Sequence, residues 1–192
     1  MSWMSCKSAN RLQKFHYNLL IALTTVIALG GPAEAATQGT AGATSTGSIS
    51  ITASVPNRTQ ITGLSDISFA NADPTTVATS TQNDCVWSNT ATKGYSIKAT
   101  GSGAAGAFTL ANGGLTVPHS VQWSQRSGQS SGTNLTAGTA LSGQVSTATT
   151  PTCSSGPSTT SSLIVSIASS DLQNMVAATS YTGSLTLLVT PQ

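Results

Sequence analysis

Charge is what this sequence has least of. Of its 192 residues, seven are Lys or Arg and five are Asp or Glu. Beyond residue 35 there is no glutamate and one histidine, His119. Four basic residues there (Arg58, Lys93, Lys98, Arg126) meet four aspartates (Asp66, Asp73, Asp84, Asp171), for a net charge of zero. Nucleic-acid binding needs clustered positive charge, so no nucleic-acid partner is expected. Anionic lipid is excluded on the same ground. Catalytic sets are equally scarce. A glycosidase needs two suitably spaced carboxylates, and nothing marks any two of the aspartates. His119 lies in a strand-like run, Val117-Pro118-His119-Ser120-Val121, with no nucleophile elbow beside it. Phosphate loops, dinucleotide fingerprints and calcium loops are missing. The expectation is therefore not an enzyme, with no cofactor. Cysteine is rare too. Beyond residue 35 only Cys85 and Cys153 remain, and with His119 they make a poor metal set, so no metal is expected. Long amphipathic helices are also missing from that part of the chain.

What the chain does have begins with an export signal. Lys7, Arg11 and Lys14 form a basic start, and Leu19–Leu29 is an apolar core of 11 residues, too short to span a bilayer. Ala33-Glu34-Ala35 is a small-x-small cleavage site. Residues 1–35 are expected to be a signal peptide, and the protein is expected to be exported. In an exported chain a pair of cysteines reads as a disulfide, Cys85–Cys153. Closing so long a loop is worth about 4 kcal/mol in the chain-entropy model. A surface of Ser, Thr, Gly and Asn with no net charge does little to keep copies apart.

The 157 residues beyond the signal (192 less 35) are enough for one domain with a core. Ala36–Gly47 is small, polar and aperiodic, a flexible leader. Ser48–Val55 alternates strictly: Ile49, Ile51, Ala53 and Val55 on one face, Ser48, Ser50, Thr52 and Ser54 on the other. That is a strand with one buried side. Pro56-Asn57 ends it. Gln60–Phe69 reads as a short strand or two, and Thr75–Gln82 as a polar loop or weak strand. Strands are then expected from Cys85, over Gly94–Ala99 and over Ala107–Leu110, the last followed by the hairpin signal Asn112-Gly113-Gly114. Leu115–Trp123 reads as one strand interrupted by Pro118. Asn134–Val145 has only scattered apolar residues. Ser162–Ala168 is a buried strand, Ser170–Ala177 a possible helical turn, and Tyr181–Val189 a last strand. Short strands rich in Thr, Val and Ile between Gly, Pro and Asn turns indicate an all-β sandwich.

Three stretches together resemble one family: Gly47–Pro56, Leu115–Trp123 and Tyr181–Val189. In this order they are similar to chaperone–usher pilins, nearest the CFA-like (alpha) fimbrial major subunits and more loosely the Csu and spore coat U group. The resemblance implies an incomplete immunoglobulin-like β-sandwich, residues 57–192, preceded by a leader and N-terminal donor strand, residues 36–56. It implies that Ile49, Ile51, Ala53 and Val55 insert into a neighbouring subunit. Tyr181, Leu185, Leu187 and Val189 would wall the accepting groove. The implied partners are identical or related pilin subunits, a periplasmic chaperone, an outer-membrane usher and a host or abiotic surface receptor. The implied product is an extracellular fimbrium supporting adhesion. The chain departs from the common type 1-like pilins in ending Thr190-Pro191-Gln192, without their penultimate Tyr. The Cys85–Cys153 pair has no counterpart in the CFA-like subunits. The competing expectation is a secreted carbohydrate-binding adhesin module, with Trp87, Trp123, Tyr95 and Tyr181 as a stacking platform.

Overall fold

The computed structural model describes residues 35–192; the basic start, apolar core and most of the expected cleavage site lie outside the described residues. The chain divides into two units, Met1–Ala53 and Ser54–Gln192. In the described part of the first, Thr37 and Ser48 form an isolated antiparallel bridge, each N–H donating to the other's carbonyl at 2.9 and 3.0 Å.

The second unit is all-β, with antiparallel sheets and a form compatible with a β-sandwich. Its strands are β1 (Thr59–Thr62), β2 (Ala78–Ser88), β3 (Gly94–Gly101), β4 (Thr109–Asn112), β5 (Leu115–Pro118), β6 (Ser120–Ser124), β7 (Thr133–Asn134), β8 (Ala140–Val145), β9 (Ser161–Ile167) and β10 (Leu185–Pro191). A single helical turn, α1 (Ser169–Leu172), follows β9. One sheet runs β1-β2-β9-β6-β7, a second β10-β3-β8, and β4-β5 form a hairpin. The core joins the two larger sheets. Val86, Val121, Trp123, Leu163 and Val165 come from the first, and Tyr95, Ile97 and Ala99 from the second. Each set follows period two along its strand, which places it on one face. Trp123 Nε1 donates to the Tyr95 hydroxyl at 3.1 Å, a buried bond between the sheets.

Several boundaries differ from the sequence expectation. The expected loop or weak strand at Thr75–Gln82 and the strand expected from Cys85 are one strand, β2, of 11 residues. Its polar first half is held by a seven-residue register with β9, from Ala78↔Ile167 to Asp84↔Ser161. Leu115–Trp123 is two strands in different sheets. Pro118 has no N–H to continue a ladder, and the chain changes sheets at His119. Of Gln60–Phe69 only β1 pairs. Gly63, at φ +89°, turns the chain away from β2. The last strand starts at Leu185, so Tyr181 precedes it.

The expected Ser48–Val55 strand joins no ladder beyond the Ser48 bridge. Ile49, Ile51 and Val55 are 73%, 84% and 83% exposed, and Ala53 is exposed as well.

A candidate strand-accepting groove

The disulfide expected from the cysteine count is present. Cys85 on β2 bonds Cys153, with Cα atoms 6.0 Å apart, and Ala148 and Trp87 pack against it. It ties the loop before β9 to the second half of β2.

That second half, Cys85–Ser88, pairs with β1 on one edge. The first half pairs with β9 and has no strand on its β1 side, because Gly63 has already turned the chain away. The second sheet offers a similar gap, since among the described residues β10 is terminal and pairs with β3 alone. Thr59 Oγ1 donates to the Val189 carbonyl at 3.2 Å, which brings β1 to the far end of β10. Before that closure a groove of about 1470 Å³ runs between residues 64–72 and residues 180–185 with Leu187. Leu163, Val165 and Ile167 of β9 form its floor. These three are almost fully buried, whereas Ile67, Phe69, Leu185 and Leu187 on the walls are partly exposed. The wall at residues 64–69 has no ladder hydrogen bonds. It is tied to β2 by Gln82 Oε1, which accepts from Ser65 N at 2.8 Å and Ser65 Oγ at 2.9 Å.

The expected groove residues are thus mostly brought together. Tyr181, Leu185 and Leu187 line the groove. Val189 sits beyond it, packed against the core where β1 meets β10. Tyr181 also packs with Val117, Ile167 and Leu172, and its hydroxyl accepts from Val176 N at 3.1 Å. The floor residues and the wall at residues 64–72 escape sequence reasoning. Leu163, Val165 and Ile167 read only as one side of a buried strand, and Ile67 and Phe69 as another short strand.

Titratable groups are few around this groove. His119 lines it with Nδ1 unpartnered, its ring 5.9 Å from that of Phe108, and burial holds the imidazole below its usual pKa. A smaller pocket of about 270 Å³ is shared by His119, Ser120, Ser166 and Asp171. Among the described residues no three or more His, Cys, Asp or Glu side chains gather as a metal centre would require. The four aromatics of the stacking platform are dispersed. Tyr95 and Trp123 are 1% exposed and bonded to each other in the core, Trp87 packs on the disulfide, and Tyr181 belongs to the groove end. Burial pushes the Tyr95 phenol up to about 12, partly offset by the Trp123 bond. No family model matches the chain, and no curated protein matches it either.

Proposed function

We propose that this protein is a structural subunit of a surface pilus, assembled by strand donation between copies. The observation that carries the proposal is a mismatch within one chain. Ser48–Val55 alternates strictly, with Ile49, Ile51 and Val55 exposed, while among the described residues the groove beside β10 has apolar walls and two unpaired strand edges. A strand from a second copy answers both. Its backbone hydrogen-bonds along the free edge of β10, and alternate side chains, Ile49, Ile51, Ala53 and Val55, enter between the sheets. An eight-residue strand spans about 27 Å. The body so completed is an immunoglobulin-like sandwich whose last position comes from a neighbour.

An exposed strand edge beside an apolar groove is an aggregation hazard. This supports a periplasmic chaperone that covers the groove before assembly and an outer-membrane usher that orders the exchange. The export-type N-terminus fits that route to the cell surface, where the fibre would meet a host or abiotic receptor. No catalytic role is assigned.

Deleting Ala36–Val55 tests the proposal. The expected product is a body that forms no fibres and binds a synthetic peptide of residues Gly47–Asn57. Fibres formed by the truncated body would overturn the assignment of the donor.

A further inference from the structure

One side chain of the core is out of place. Asp84 is 0% exposed, and neither carboxyl oxygen has a hydrogen-bond partner. Its backbone is well held: the Asp84 carbonyl accepts from Thr160 N at 2.8 Å and from Ser161 Oγ at 3.0 Å. Its side chain points inward with those of Gln82 and Val86, since alternate residues of β2 share a face. Val86 is in the core, and Gln82 is the residue that ties the groove wall to β2. Gly63, where that wall begins, lies flat against Asp84. A Cβ placed on Gly63 would stand 3.7 Å from the Asp84 Cα. An unpaired carboxyl therefore sits on the core face of β2, at the residue whose backbone lies beside Gly63 and two residues from Gln82, which holds the wall.

Among the described residues nothing packed around it offers a counter-charge; Arg126, whose carbonyl accepts from Ser162 Oγ at 2.9 Å, is exposed. Neither β1, β9 nor β10 carries a titratable residue. On the wall segment Asp66 is exposed. Of the titratable groups on and beside β3, the Tyr95 hydroxyl accepts from Trp123, Lys93 Nζ donates to the Ala148 carbonyl at 3.1 Å, and Lys98 alternates to the outward face. Arg58, ahead of β1, is exposed. His119 is at the other end of β9, beside Ser120, which pairs with Ser166. A buried carboxylate without a partner is expensive, and water is the cheapest remedy. Desolvation accordingly raises the Asp84 pKa to about 6.

We propose that Asp84 is a proton-operated lock on the groove wall. Protonated, it lets the segment from Gly63 to Phe69 lie against β2. Ionised, it draws water to that face and frees the segment. The lock's functional consequence rests on the strand-accepting reading of the groove: a strand held there is retained longer in acid than at neutral pH.

The test is hydrogen exchange of the full chain at about pH 5 and about pH 8, corrected for the intrinsic effect of pH. The amides of Ser65, which donates to Gln82, and of Asn83–Cys85 are expected to open about tenfold more often at the higher pH. Asp84→Asn should remove the difference. Asp84→Leu, with the same branching and no titrating group, repeats the comparison if the amide variant folds poorly. No difference in the parent chain, or a difference that persists in the folded variants, overturns the lock. Dissociation of an added Gly47–Asn57 peptide reads the groove separately. It should be about tenfold slower at the lower pH, and independent of pH in Asp84→Asn. A peptide that binds with the same dissociation at both pH values overturns the lock's effect on strand capture and leaves the groove assignment standing. A peptide that binds at neither pH overturns the groove assignment, and the functional half of the lock with it.

Discussion

Asp84 and His119 stand at opposite ends of β9, and their protons act on stability in opposite directions. Asp84 is an acid whose pKa is raised from 3.8 to about 6 on folding. Its contribution is fully present below 3.8 and is lost as pH rises through about 6. His119 is a base whose pKa falls below 6.5 on folding. Its contribution is present above 6.5 and is lost as pH falls through the folded value. Both changes fall below about pH 6.5, so in the parent chain they offset each other in urea midpoints measured across that window. His119→Gln is expected to leave a midpoint that falls as pH rises through about 6, and Asp84→Asn one that falls as pH drops below 6.5. Neither residue announces this in the sequence. Asp84 falls between Thr75–Gln82, which reads as a polar loop or weak strand, and the strand expected from Cys85, and its inward position follows only once β2 is continuous through it. His119 does read as strand-like. That its Nδ1 is left unpartnered beside a groove depends on the change of sheet after Pro118, which a proline alone does not locate.

Elements were legible in proportion to their own patterning. β3, β9 and the β4-β5 hairpin carry alternation or an Asn-Gly-Gly turn within themselves. β2 does not, because its first half is held by register with β9 rather than by apolar residues of its own. Of the groove, β10 shows as a patterned strand, on which only the pilin resemblance singles out Leu185 and Leu187; the opposite wall has one regular cue, the Gly63 turn, and no ladder. Ser48–Val55 is the reverse case. It has the clearest alternation in the chain, and among the described residues it makes a single bridge, at Ser48. If its apolar face serves a neighbour, Ile51→Asp should abolish fibre formation while shifting the stability of the isolated body by no more than about 0.5 kcal/mol, as expected for an exposed site. Electron microscopy and a urea titration of the same variant measure the two effects. A loss of stability of several kcal/mol would mean that Ile51 is buried in its own domain.

At the scale of the molecule, a body of modest core is held by one cross-link and almost no charge. The Cys85–Cys153 bridge closes a loop of 68 residues in sequence. Its removal in a Cys85→Ser/Cys153→Ser variant should cost about 4 kcal/mol in denaturant unfolding, with the folded topology kept. The pairing was legible from composition, because two cysteines leave one choice. Assembly was less so: alternation shows that a strand has a face to bury, never whose core buries it. That question decides the account. Isotopically heavy and light chains, mixed before assembly and carrying Ile51→Cys and Leu187→Cys, can be oxidised and their cross-linked peptides weighed. Strand donation predicts abundant heavy–light disulfides between positions 51 and 187. Cross-links confined to heavy–heavy and light–light pairs would place the strand in its own sheet and contradict the account.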